Sequence, residues 1–358
     1  MTAKFRIGLV GLGVVAECQL EALRLIEDVA VVSVCDTRAE IAERTAQAYN
    51  ARAYKEYDEL LRDGGIDLVM VLTPASTHRE IVEAAARVGV DVFCEKPLAV
   101  TLVDGQAMIA ACRNAGVKLF YGSCYRYLPA IRKAYELIQQ GAIGRVQLMS
   151  EQLIGGQGLE RYSQLAPIHY PLGGPGGAGM GLVDHGIHLI DVFSWFMGSA
   201  PDRAVGSGQI SGAPVQSEFM ALTFPDGATG HLLYNAATYS ASLPNEGMFS
   251  GGQGWLTDGS ITSAGQWENE PGSIAVYGTE GSLRIFHYAN ALFLNQGKGP
   301  RRIELEGRPA FGHFATQLED CMNSVRSDTP PTIGGEDGLQ ALRVLLSIYD
   351  EPAVHSGP

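Results

Sequence analysis

Residues 5–121 alternate short, continuously apolar runs with helix-like stretches, and this alternation restricts the fold more than any other feature of the chain. Residues 5–10, 30–35, 66–72, 91–94 and 118–121 read as strands. Between them lie helix-like segments from 14 to about 26, after Thr37, and over 77–88 and 102–114. A strand that is apolar on both faces has to be covered on both faces, and parallel strands need long crossovers. The pattern therefore calls for a parallel sheet wrapped by helices.

The first crossover reads Gly11-Leu12-Gly13-Val14-Val15-Ala16. In a strand-turn-helix setting Gly11 supplies the tight turn, Gly13 lets the main chain approach a pyrophosphate, and Ala16 allows close helix–strand packing. Backbone donors at the helix start, Val14 and Val15, then face the phosphates. The second strand ends in Asp36, about 20 residues beyond the glycines, where a carboxylate binds both adenosine ribose hydroxyls and repels a 2′-phosphate. That favours NAD over NADP. Thr37 and Arg38 complete the turn, and the Arg38 guanidinium tempers the preference because it can pair with such a phosphate. The other reading of Asp36 is an N-cap for the helix that follows. Ligands of doubly wound sheets gather at the carboxyl ends of strands, so Thr73, Pro74 and His78 are candidate cofactor neighbours; for His78 the alternative is an exposed first-turn histidine.

Glu95-Lys96-Pro97 ends the 91–94 strand. The proline stops the ladder, and a lysine there can point into a crevice at the junction of two domains, or snorkel to solvent. Two domains are expected because 358 residues exceed the roughly 250–300 at which a single core stops growing. We assign 1–123 to dinucleotide binding and 124–358 to substrate binding and oligomerisation. The formal charge of −13 and the pI near 5.1 exclude nucleic acid and an anionic membrane surface as partners. No apolar run reaches the ~18 residues of a bilayer span, and the first strand starts too near Met1 to leave room for a signal peptide, so a cytoplasmic protein is expected. Cys18, Cys35, Cys94, Cys112, Cys124 and Cys321 form no Cys-x-x-Cys pair and read as reduced, buried side chains.

Beyond an amphipathic helix carrying Ile131, Tyr135 and Ile138, the periodicity becomes strand-like at 145–152 and again at 219–224, 229–235, 274–277, 283–287 and 291–294. Pro225-Asp226-Gly227 and Thr279-Glu280-Gly281 supply turns, which makes these runs antiparallel hairpins. Helices over 311–326 and 336–349 close the chain. A glycine-rich loop at 173–181 can lie close to a ligand or to another chain. It leads into a helix over 182–193 that carries Asp184 and His188 four apart on one face, the spacing at which a carboxylate orients an imidazole as general base. An aspartate N-cap above a buried histidine is the alternative. A metal reading through His185, His188 and Asp191 lacks a His-Glu-x-x-His companion, so no metal is expected. The 240–272 stretch, with Trp255 and Trp267, reads as a substrate lid or subunit contact.

Taken in order, Gly11-Leu12-Gly13, Thr73-Pro74 with His78, Glu95-Lys96-Pro97-Leu98, Tyr125-Arg126-Tyr127 with Pro129, and Asp184-x-Gly186-x-His188-Leu189-Ile190-Asp191 resemble the glucose-fructose oxidoreductase, inositol dehydrogenase and rhizopine-catabolism family (Gfo/Idh/MocA) over nearly the whole chain. The resemblance implies an α/β Rossmann domain followed by an α+β domain with a large, open-faced, mostly antiparallel sheet, through which homodimers or tetramers form. It implies that Lys96, beside Glu95 and a cis bond to Pro97, contacts both cofactor and substrate. Asp184 and His188 become a dyad on the reacting hydroxyl, Arg126 a substrate-side or cofactor-side group, and Tyr162 and His169 substrate contacts. The expected activity is NAD-dependent oxidation of a secondary hydroxyl of a sugar, glycoside or cyclitol. An NAD-assisted redox glycosidase or eliminase is the alternative, as is a non-catalytic nucleotide-binding sensor, against which the retention of Lys96, Asp184 and His188 argues.

Overall fold

The computed structural model describes residues 4–154, 182–207, 218–235, 273–287, 289–307 and 309–348. The chain divides into two units, Met1–Cys124 with Phe311–Leu342 and Tyr125–Ala310 with Arg343–Pro358.

In the first unit the apolar runs become β1 (Phe5–Val10), β2 (Val29–Cys35), β4 (Leu68–Val71), β5 (Asp91–Glu95) and β6 (Leu119–Gly122), with a short β3 (Arg52–Tyr54) at one edge. They form one sheet in the order β3-β2-β1-β4-β5-β6, parallel throughout. The crossovers carry α1 (Val14–Leu23), α2 (Ala39–Tyr49), α3 (Tyr57–Asp63), α4 (His78–Arg87) and α5 (Leu102–Ala115). Leu68, Val69, Met70 and Val71 are all at 0% exposure, as a central strand covered on both faces requires. Strand order reverses between β1 and β4, and the crevice above such a switch is where open α/β sheets take their ligands. Local chemistry sets the helix ends: Thr101 Oγ1 accepts from the Asp104 amide at 3.1 Å to start α5, and Gly116, at φ 69°, ends it. The sequence pattern did not mark β3 or α3, since Arg52 and Ala53 are exposed and three residues carry no periodicity.

The second unit contains α6 (Pro129–Gln139), which opens with proline at its first position, β7 (Val146–Ile154), α7 (Ile187–Met197), and β8 to β14: Arg203–Ser207, Glu218–Thr223, Thr229–Asn235, Ile274–Gly278, Ser282–Phe286, Ala291–Asn295 and Pro300–Ile303. These strands make an eight-stranded sheet in the order β14-β13-β12-β11-β7-β10-β9-β8. Every pairing is antiparallel except β7 with β10. Side chains alternate across it: Met149, Met220, Leu222, Leu232, Ile274 and Val276 are buried, whereas Phe219, Tyr277 and Val205 are exposed. The expected hairpins therefore form, while β8, β14 and the parallel pair go beyond what the periodicity marked.

Segment 311–342 belongs with the first unit, where the sequence reading had placed everything after residue 123 in the second. The cause is packing: α8 (Gly312–Ser327) lies against α1, the Gln317 amide donates to Tyr121 O at 3.2 Å, and Gly334 bridges to Phe120 on β6. The glycine-rich loop at 173–181 and the 240–272 stretch with Trp255 and Trp267 lie outside the described residues.

Candidate active site

Gly11 leaves β1 at φ 91°, a backbone region that L side chains rarely adopt. A Cβ there would stand 2.8 Å from Leu72 C and from Thr73 N, so glycine lets the β1 turn lie directly on the end of β4. Gly13 differs: a Cβ there would meet nothing within 4 Å, and as N-cap of α1 it makes no side-chain hydrogen bond. Open space in front of the helix start, with Val14 60% exposed, fits an incoming pyrophosphate.

Asp36 stands at the end of β2, buried. Its Oδ2 accepts from the Leu12 amide at 2.9 Å and Arg38 Nη2 at 3.0 Å, and its Oδ1 from the Arg38 amide and Nε, both at 2.9 Å. Four donors use the four lone-pair sites of a carboxylate. Burial alone would raise its pKa, but these bonds and the Arg38 charge outweigh it and hold the carboxyl below the ordinary range. Thr37 and Arg38 are exposed, so the guanidinium is the one donor group able to swing away. Asp36 thus serves neither as N-cap nor as a free carboxylate: it ties the glycine turn to the Arg38 main chain.

His78 is fully buried. Its Nε2 lies 2.8 Å from Thr73 O and its Nδ1 3.1 Å from Leu98 O. Burial pushes its pKa below the usual value, against the pull of these carbonyls. The imidazole thus clips the end of β4 to the turn that holds Glu95, Lys96 and Pro97, where the bond to Pro97 is cis. Thr73 is half-buried, with its hydroxyl taking the Thr77 hydroxyl at 2.9 Å, and Pro74 is exposed. Glu95 faces inward: it accepts from Gln19 Nε2 and from the Lys96 amide, each at 3.0 Å, so the residue before the lysine anchors the lysine's own main chain. Lys96 itself is half-buried.

In the second unit the segment expected to be one helix starts as a π turn, Leu182–Gly186, before α7. Glu218, an acid at an inward position of β9, accepts the Leu182 amide at 3.1 Å. A Cβ on Gly186 would lie 3.0 Å from Tyr234, so glycine lets the turn close onto β10. Asp184 is half-buried on this turn and His188 is buried at the start of α7. The His188 ring stacks on Tyr125, with centroids 4.1 Å apart and planes 4° from parallel. Tyr125 in turn places its hydroxyl 3.0 Å from His185 Nδ1, and His185 Nε2 lies 2.9 Å from both oxygens of Glu151. Tyr234 donates to Glu151 Oε2 at 2.7 Å, and His287 stands 3.7 Å from Oε1. Burial would raise the Glu151 pKa; His185 foremost, then His287 and Tyr234, pull it below the ordinary value.

Arg126 pairs with a carboxylate of this unit. Its Nε donates to Asp191 Oδ2 at 2.9 Å and its Nη2 to Oδ1, a bidentate pair with the carboxylate side chain only 1% exposed, and the guanidinium also lies 5.7 Å from the Trp195 ring centre. Tyr162 and His169 lie outside the described residues. Sequence reasoning did not nominate Gln19, Glu151, Tyr234 or His287, and it named Tyr125 only as part of a motif, without a role. A signal existed for one: Glu151 shares the inward parity of Met149, and a carboxylate at a core position of a strand marks a buried polar network.

Two family models match the chain. One is described as oxidoreductase family, NAD-binding Rossmann fold, over residues 5–123, and the other as oxidoreductase family, C-terminal alpha/beta domain, over 136–351. Similar proteins include a myo-inositol 2-dehydrogenase of Thermotoga maritima, 26% identical over 94% of this chain and 93% of that one. A trans-1,2-dihydrobenzene-1,2-diol dehydrogenase of Danio rerio is 33% identical over 70% of this chain and 73% of that one. Among solved structures, an aldose-aldose oxidoreductase from Caulobacter crescentus complexed with glycerol superposes with a TM-score of 0.76 at 26% identity, covering 97% of this chain and 96% of that one. With both halves matched and the two sheets built as that fold requires, the chain belongs to the Gfo/Idh/MocA oxidoreductase family.

Proposed function

We propose that this chain oxidises a secondary hydroxyl of a sugar, glycoside or cyclitol to the keto form, reversibly, with NAD as hydride acceptor. The observation that carries the reading is His188, a buried imidazole held flat against Tyr125 one residue into α7, four residues after Asp184. An imidazole whose plane is held by a neighbour is ready for proton transfer without reorganisation. Relatives named for an inositol, a diol and aldoses support the substrate class.

In this reading His188 takes the hydroxyl proton, Asp184 steadies the resulting imidazolium, and Lys96 donates to the oxygen as it gains charge. When bound, the nicotinamide supplies the hydride acceptor. Gly11, Gly13, Val14, Val15, Thr37, Thr73 and Pro74 would line the dinucleotide, and His78 and Glu95 support the main chain around it. Asp36 is ionised and held by two backbone amides, which favours ribose hydroxyls over a 2′-phosphate once Arg38 swings aside. Arg126 acts by holding Asp191 at α7. The exposed Phe219, Tyr277 and Val205 support a homodimer or tetramer through the outer sheet face. Six free cysteines suit a reducing, cytoplasmic setting; no described helix is long and apolar enough to cross a membrane.

The test is a panel of inositols, hexoses and glycosides with NAD and NADP, followed at the nicotinamide absorbance band, with His188→Ala and Lys96→Ala in parallel and nucleotide affinity measured separately. Loss of turnover with nucleotide binding retained in His188→Ala is expected. Undiminished turnover in both variants defeats the assignment, and aglycone release without net NADH would favour a redox glycosidase.

A further inference from the structure

We propose that Glu151, His185 and His287 bind a divalent transition-metal ion of the zinc type. The three donors come from the middle of β7, the π turn before α7 and the residue after β12, and their ligand atoms all lie within 4.8 Å of one another. Each of the three side chains is at 0% exposure. Buried charges are stable when paired or when they coordinate a metal. The contact of His185 Nε2 with both Glu151 oxygens, at 2.9 Å, compensates the carboxylate by itself.

His287 brings a third donor to that pair. Its Nε2 is 3.7 Å from Glu151 Oε1, too long for a hydrogen bond. It is close to the roughly 3.3–3.6 Å that separates neighbouring ligands of a tetrahedral ion with bonds of about 2.0–2.2 Å. Groups behind the ligands are arranged in the same sense. The Tyr234 hydroxyl braces Glu151 Oε2 at 2.7 Å, and the Tyr125 hydroxyl lies 3.0 Å from His185 Nδ1, able to accept that ring's second N–H when Nε2 faces the ion. Two imidazoles and one carboxylate suit zinc, iron or manganese; magnesium and calcium take oxygen donors. An ion here ties three strands and turns together, and through His185 it holds Tyr125 beneath His188.

The full chain, purified without chelator or histidine tag, is analysed for metals by mass spectrometry, stripped, and titrated with zinc and with cobalt(II). The expected result is about one ion per chain with visible cobalt bands. Affinity should fall by tenfold or more, on the order of a lost ligand or its support, in His287→Gln and in Glu151→Gln. His231→Gln, which removes an exposed imidazole on β10, leaves it unchanged. Unaltered uptake in a folded His287→Gln overturns the proposal. So does stripped wild-type protein that keeps its native circular dichroism and takes up no ion at micromolar concentration, a result that needs no variant to fold. The readout is ion stoichiometry, so it stands apart from whether a dehydrogenase substrate is found.

Discussion

Glu95 and Glu151 are both buried carboxylates on strands, and the way each is held separates the two units. Glu95 is bound by the next residue's amide and by one glutamine. Glu151 is bound entirely by side chains, from His185 and Tyr234, 34 and 83 residues away. The same contrast runs through the neighbourhoods of the two residues. Around Lys96 main-chain carbonyls and amides share the tying with side chains, at His78, Asp36 and Glu95; around His188 aromatic rings, imidazoles and ion pairs predominate. A site made from main chain survives many side-chain changes but no change in backbone geometry. A site made from side chains should behave in the opposite way.

The largest effect expected is in the second unit. His188→Ala should lower kcat by about 10² to 10⁴ with nucleotide affinity unchanged, the range for loss of a general base. Arg126→Ala comes next, because it leaves the buried Asp191 without its cation: a loss of roughly 3–5 kcal/mol in urea unfolding is expected, and a loss below about 1 kcal/mol would show that Asp191 rehydrates. The matching backbone probe in the first unit is Gly11→Ala, which forces a Cβ against Leu72 and Thr73 at positive φ. It should cost about 2 kcal/mol and weaken dinucleotide binding, read by calorimetry. Arg38→Ala frees two acceptor sites on Asp36, so the ratio of NAD to NADP affinity should rise by about tenfold.

The smallest effect concerns His78. Burial holds its pKa below the ordinary 6.5, so the unfolded chain takes up the proton first as pH falls. Its contribution to stability is therefore complete above pH 6.5 and declines below it, by at most about 1.4 kcal/mol per pH unit. His78→Gln should flatten that part of the stability curve. An unchanged slope would mean that the imidazole is already charged in the native chain.

Much of the first unit was legible in advance because its information is local. The β1 run, Gly11 with its positive φ and the spacing to Asp36 lie within a few dozen residues, and a strand apolar on both faces admits few environments. Hidden were the four donors on Asp36, since acceptor capacity is a count over space, and the clip made by His78. In the second unit hairpin turns marked the strand pairs. The parallel pairing of β7 with β10 was not marked, because no turn joins them and register between distant strands leaves no local trace.

The sequence by itself determined the two-part architecture, the nucleotide turn and the identity of Lys96, Asp184 and His188 as candidates, since periodicity, glycine stereochemistry and short motifs act over one or two turns of chain. Only the tertiary structure decided that Arg126 pairs with Asp191, that α8 joins the first unit, and that Tyr125, Glu151, His185, Tyr234 and His287 meet in one buried cluster. Those contacts depend on strand register and helix packing, and their energy comes from groups that are neighbours only after the chain has excluded water from between them.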